Sequence, residues 1–201
     1  MAMATADFET RQLLKAYRKG LISDELFEAQ MKEISNGQCF TYNGKSFATE
    51  REMIMHLIDE FRCGENFAAE YLQKWVDVSD QDCVKGGLRV VQHREAYHAQ
   101  ILEARLRELG GAPQCAVPAE RREKELPFYS SPETKDAQKL LSIASRLTDP
   151  VAVFKPLNDA IAQISEDQQS KELLRSLVAD EMSSVKWLLE ACQMMNAPQA
   201  A

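Results

Sequence analysis

Val84-Lys-Gly-Gly-Leu-Arg-Val-Val-Gln-His-Arg-Glu-Ala-Tyr-His-Ala-Gln-Ile-Leu-Glu-Ala-Arg-Leu106 is the stretch whose reading decides the fold. Val84, Leu88, Val91, Leu102 and Leu106, with Leu109 just beyond, lie on one stripe advancing by three and four residues. That spacing is one face of an α-helix. Glu95 and His98 occupy the two places in the stripe where apolar residues are due. A buried carboxylate without a partner costs several kcal/mol, so a compensating group is required. Positions three apart lie about 60° apart around a helix and their side chains converge. A Glu-x-x-His pair so placed is half of a metal site.

Working outward, Thr49-Glu-Arg-Glu52 reads as a capping box that opens a preceding long helix. Its stripe is Ile54, Leu57, Phe61, Glu65, Ala68, Leu72 and Trp75, and Val78-Ser-Asp80 turns the chain into the decisive helix. Gly86-Gly87 inside that helix costs about 1 kcal/mol per glycine relative to alanine, which predicts close packing against a neighbour. Gly110-Gly111 ahead of Pro113 closes it. Residues 112–131, rich in proline and charge, read as a long crossover, with Glu120-Arg-Arg-Glu-Lys-Glu125 a solvated charge run. Ser131-Pro132 then starts a third helix that runs to Leu147 and breaks at Asp149-Pro150. The pattern resumes at Phe154, Leu157, Ile161 and Ile164. Ser165 and Gln168 cap a last helix striped by Leu173, Leu177, Glu181, Ser184, Leu188 and Ala191.

Before these helices, Phe8 to Lys19 has helical composition, Gly20 stops it, and Ser23-Asp-Glu25 starts a second short helix to about Ile34. In Cys39-Phe-Thr-Tyr-Asn-Gly-Lys-Ser-Phe47, Asn43-Gly44 between aromatic runs predicts a type I′ β-hairpin. The expected organisation is all-α: an N-terminal helical hairpin over 1–36, a short β-hairpin linker over 37–48, and a four-helix bundle over 49–196. Two helices, a long link and two more helices is the connectivity of a ferritin-like bundle.

Composition removes several classes of function. The 201 residues suffice for one good core and a small appendage, and 45% hydrophobic with 27% charged residues is ordinary for a soluble globular chain. A net charge of −7 without a basic cluster argues against a nucleic-acid partner. No apolar run approaches the roughly 18 to 20 residues of a membrane span, and residues 1–10 lack the features of a secretory signal. Cys39, Cys63, Cys83, Cys115 and Cys192 are odd in number and scattered, as free thiols are. The expected setting is therefore the cytoplasm, with no membrane partner.

Three of the four long helices carry a carboxylate on the buried stripe: Glu65, Glu95 and Glu181. On Cys63-Gly-Glu65, Glu95-Ala-Tyr-His98, Ala179-Asp-Glu181 and Lys186-Trp-Leu188, residues 50–192 resemble the ferritin-like di-iron carboxylate superfamily, which includes rubrerythrins and demethoxyubiquinone hydroxylases. The resemblance implies that each helix gives one Glu and that the second and fourth add a His three residues later. It makes Glu65 the terminal carboxylate of a first metal, with Glu95 bridging, His98 on the same ion, and Glu181 the other bridging carboxylate. The chain departs from that pattern twice. Ser184 stands where the second His is due, and the third helix has no carboxylate on its stripe, since Asp149 and Asp159 lie off it. Both losses fall on the second metal. Separately, Leu13 to Ile34 resembles the short helical-hairpin module known as SHOCT, which implies an interaction or oligomerisation element.

Two readings of the four residues follow. In one, Glu65, Glu95, His98 and Glu181 hold a single ion, iron or manganese, which suit three carboxylates and one imidazole. In the other the site is a relic whose polar groups satisfy one another. The expected function is a ferritin-like protein with half of a di-iron site and no assigned chemistry. The alternative is a metal-dependent oxidoreductase acting with oxygen or peroxide. The expected partner is a second copy of the chain, forming a dimer, with a further protein partner docking through the N-terminal hairpin. His93 and His56 are read as surface histidines. Tyr71 and Tyr97 are read as packing beside the stripe, and Met194-Met195 as a core or interface patch.

Overall fold

The computed structural model describes residues 11–34 and 40–196. The expected helix start at Phe8, and Cys39 at the head of the ribbon, lie outside those residues. The described chain is mostly helical with one two-stranded sheet, and it divides into two units, Met1–Met53 and Ile54–Ala201.

In the first unit, residues 11–18 form helix α1, and Gly20 at φ +66° turns the chain out of it. The Ser23 hydroxyl accepts from the Leu26 N–H at 3.3 Å, capping α2, Asp24–Ile34. Tyr17 and Phe27 stack with centroids 4.4 Å apart and join the two helices. Strands β1, Phe40–Tyr42, and β2, Lys45–Phe47, pair antiparallel with Phe40 opposite Phe47. Asn43 at φ 48° and Gly44 at φ 75° give the left-handed pair that a type I′ turn requires. Thr49 and Glu52 make the reciprocal capping box: Thr49 Oγ1 accepts from Glu52 N–H at 3.2 Å, and Glu52 Oε2 accepts from Thr49 N–H at 3.3 Å.

Helix α3, Glu50–Val78, starts at that box and runs through the division into the second unit. Helix α4, Asp82–Glu108, buries Val84, Leu88, Val91, Glu95, His98, Leu102 and Leu106, the predicted stripe with its two polar members. It ends where Gly110 and Gly111 N–H groups donate to Arg107 and Leu106 carbonyls, both at 2.9 Å. The glycine pair inside α4 has two different environments. A β-carbon at Gly87 would overlap the indole ring of Trp187, whereas Gly86 faces open space. Close helix packing therefore accounts for Gly87 alone.

The crossover is not the featureless link expected. Ala119–Ser130 forms helix α5, and its charges are engaged: Arg122 pairs with Glu70 at 2.9 Å and Arg146 with Glu125 at 3.0 Å. The guanidinium groups of Arg121 and Arg122 lie over the Phe67 ring at 5.2 and 5.4 Å. Tyr129, on the same helix, is fully buried.

The third long helix is also different from expectation. Residues 132–134 form a bend rather than a first helical turn, α6 spans Asp136–Ala144, and α7 spans Pro150–Gln163. Asp136 explains the late start: its carboxylate accepts from Trp75 Nε1 at 2.6 Å and from Ser79 Oγ at 2.7 Å. Those bonds fix where the helix begins. Asp149 caps α7 by accepting from Ala152 N–H at 3.1 Å, so Asp149-Pro150 acts as a start signal as well as a break. Helix α8, Gln168–Asn196, is likewise capped later than the expected Ser165, by Asp167, which accepts from Ser170 N–H at 2.9 Å.

Within this unit Leu72, Trp75, Leu88, Val91, Tyr129, Leu140, Ile143, Leu188 and Ala191 form one apolar cluster drawn from α3, α4, α5, α6 and α8. Each large aliphatic side chain fully buried there contributes about 1.5 to 3 kcal/mol. Met195 packs against this cluster, while Met194 is exposed. Helix α8 runs closest to α4, α6 and α7. Among the described residues no helix is long and apolar enough to cross a membrane.

Candidate metal centre

Three helices bring the four singled-out side chains together. Glu65 comes from α3, Glu95 and His98 from α4, and Glu181 from α8, each buried. One ligand atom from each lies within 4.8 Å of all the others. His98 sits at the middle: its Nδ1 is 3.2 Å from Glu65 Oε2 and 3.0 Å from Glu181 Oε1. Glu65 and Glu95 are hydrogen-bonded to each other. The Glu95–His98 spacing of three residues aims both at the point that Glu65 and Glu181 reach from their own helices.

The electrostatics of this pocket are those of carboxylates crowded away from water. Burial first, then the Glu181 charge, pushes Glu65 up to about 8, although the Glu95 hydrogen bond acts the other way. Burial, then Glu65, pushes Glu95 up to about 11. Burial pulls His98 down, but the Glu181 hydrogen bond and charge, with Asp180 and Glu95, outweigh it and the net shift is upward. With no cation present, the cluster therefore retains protons at neutral pH. Those protons also let it satisfy itself: among the described residues the one buried side-chain nitrogen or oxygen lacking a hydrogen-bond partner is Glu125 Oε2.

The donor set fits one ion. Metal bonds to carboxylate oxygen or imidazole nitrogen are about 2.0 to 2.2 Å, so opposite ligands stand roughly 4.2 Å apart. A spread of 4.8 Å needs a contraction of about 0.6 Å at its widest pair, within side-chain reach.

Among the described residues a second ion has no such set. Ser184 is buried, but its hydroxyl accepts from Arg94 Nη1 at 3.4 Å. Asp149 and Asp159 are exposed. Helix α6 does bury a carboxylate that the stripe reading overlooked, Asp136, but Trp75 and Ser79 take it up. Tyr97 is 60% exposed and plays no part. Tyr71 lies close enough to Glu95 to feel its charge and stacks on Tyr129 with centroids 4.6 Å apart. His93 is exposed, and His56 pairs with Glu60 at 3.2 Å.

Sequence reasoning missed Asp180. Its Oδ2 is 3.4 Å from His98 Nε2, on the far side of the ring from Glu65 and Glu181. Its signal was present: it sits one residue from Glu181, at the edge of the same helix face. A carboxylate on the second ring nitrogen fixes the tautomer and turns Nδ1 toward the cluster.

Comparison of the chain with protein-family models, with curated proteins and with solved structures finds no match. The chemistry of these side chains therefore carries the functional reading.

Proposed function

We propose that the chain is a ferritin-like four-helix protein that holds one transition-metal ion, iron or manganese, through Glu65, Glu95, His98 and Glu181. The four arms are α3, α4, the broken pair α6 and α7, and α8, with the α5-containing crossover between the second and third. The observation that carries the reading is the convergence of three buried carboxylates and one imidazole from three helices within 4.8 Å. Hard oxygen donors with a single imidazole suit iron and manganese better than thiolate-seeking metals. The half-site form is supported by the engagement of Ser184 with Arg94 and of Asp136 with Trp75.

One ion in place of two removes the shared two-electron chemistry of a metal pair. Lewis-acid or one-electron chemistry with oxygen or peroxide is the remaining catalytic reading, and it rests on the same four residues. The helical hairpin of α1 and α2 is the proposed self-association or docking element, and the scattered cysteines favour a cytoplasmic setting.

The test is elemental analysis of protein purified without chelators. The expected result is about one iron or manganese per chain, lost in His98→Ala. The self-satisfied hydrogen bonding of the metal-free cluster favours a second reading, the relic. That reading stands if the wild type holds no metal after reconstitution with ferrous iron or manganese.

A further inference from the structure

Away from the metal cluster, one face of α3 grips the start of the crossover. Asp59 Oδ2 accepts from the backbone N–H groups of Gln114 and Cys115, at 2.8 and 2.7 Å. Arg62 Nη2 donates to the Cys115 carbonyl at 3.2 Å, and Arg62 donates through Nε and Nη2 to Asp59 Oδ1 at 2.9 and 2.8 Å. Both charged residues are buried. Cys63 lies four residues after Asp59, on the same face, with its side chain next to that of Cys115. Both thiols are free. A buried ion pair thus holds the backbone of one cysteine in register with the side chain of another that is 52 positions distant in sequence.

We propose that Cys63 and Cys115 are a reversible redox pair, which a peroxide closes into a disulfide stapling the crossover to α3. Cys63 is buried and Cys115 only half-buried, so peroxide meets Cys115 first. The Cys115 sulfur attacks one peroxide oxygen, the O–O bond breaks, and sulfenic acid and one water form. The Cys63 sulfur then attacks the Cys115 sulfur, the S–O bond breaks, and the hydroxyl leaves as a second water with the Cys63 proton. The two sulfurs lose two electrons and the peroxide gains them. A dithiol reductant reverses the step. Burial and the neighbouring Cys63 push the Cys115 thiol up to about 11, which keeps the reactive thiolate scarce and makes the first attack slow. The pairing does not depend on any metal at Glu65.

The experiment exposes the full chain to hydrogen peroxide, blocks remaining thiols, and maps disulfides by mass spectrometry of a non-reducing digest. The expected product is a linked peptide containing Cys63 and Cys115, restored to two thiols by dithiothreitol. Cys115→Ser, with its helical circular dichroism intact, is expected to leave Cys63 as a free thiol. Asp59→Asn is expected to slow closure by about tenfold by loosening the Cys115 backbone. The proposal is overturned if Cys115 goes to sulfinic acid while Cys63 stays a thiol. It is equally overturned if the only disulfides found join exposed Cys83 residues between chains.

Discussion

The indole of Trp187 on α8 lies directly over the Cα of Gly87 on α4, in space that any side chain at that position would fill. The contact sits on the same helix pair that carries Glu95, His98 and Glu181, about two turns from the cluster.

Gly87→Ala and Gly86→Ala are therefore expected to act with opposite signs. At Gly86 nothing opposes a methyl group, and replacing a helical glycine by alanine stabilises by about 0.5 to 1 kcal/mol. At Gly87 the overlap with Trp187 costs about 1 to 3 kcal/mol, more than the helix gains. Thermal melts check this: a rise of about 2 °C for Gly86→Ala and a fall of several degrees for Gly87→Ala, at about 2 to 4 °C per kcal/mol.

The metal-free protein is expected to lose stability as pH rises. Glu65 and Glu95 have folded pKa values of about 8 and about 11 against 4.5 for the free side chain. Between these limits the folded state binds more protons than the unfolded state, and each such proton costs up to about 1.4 kcal/mol per pH unit. The raised His98 acts in the same direction, with its contribution lost as pH climbs through its folded value. Asp59 and Asp167, both lowered below 3.8, oppose this only in acid, below that value. In excess chelator the melting temperature should be higher at pH 5.5 than at pH 8.5, pH values chosen about 3 units apart to span the slope. Glu95→Gln, which mimics the protonated form, should flatten the curve. An unchanged slope in that variant would contradict the buried-proton account.

Metal uptake should show the reverse dependence, because ligands bind deprotonated and the ion expels the protons. Titration with manganese in two buffers of different ionisation enthalpy should register proton release, and affinity should increase between pH 6 and 8, about 2 units below and near the Glu65 value. Asp180→Asn is expected to weaken binding by about tenfold, at the low end of the effect of an outer hydrogen-bond partner. Ser184→His alone should leave the stoichiometry at one, since Asp136 on α6 stays engaged with Trp75 and Ser79.

Asp136→Ala should be among the most destabilising changes outside the cluster. It strands the Trp75 N–H and the Ser79 hydroxyl in the core, each worth about 1 to 3 kcal/mol when unsatisfied. Urea unfolding should show a loss of about 2 to 6 kcal/mol, with metal content after reconstitution unchanged in the folded fraction.

The decisive helix was legible because its misfits were polar. A run of leucines and valines interrupted by Glu95 and His98 declares both the buried face and its unusual contents, and the same holds for Glu65 and Glu181. The hairpin turn at Asn43-Gly44 was legible because few other residues accept its backbone angles. Helix α5 was not, because Pro118 precedes it, Pro127 lies inside it, and its inward face mixes Arg122 and Glu125 with Tyr129. Charges that pair with Glu70 and Arg146 look, in sequence, like charges that face water. The start of α6 was misplaced for a related reason. Ser131-Pro132 is a good local signal, but it was overruled by bonds from Asp136 to residues about 60 positions earlier, which no local pattern records. Asp59 and Arg62 escaped notice in the same way, since the backbone groups they hold, at Gln114 and Cys115, lie beyond α4.

The cluster draws on α3, α4 and α8 and takes nothing from α7. An ion there would act as a clasp on three helices and leave α7 outside its ligand set. Opening of α7 would then proceed at its own free energy, and filling the cluster would slow amide exchange in the three ligating helices only. Such a molecule would keep one arm able to breathe, or to accept sequence change, without disturbing the centre beside it.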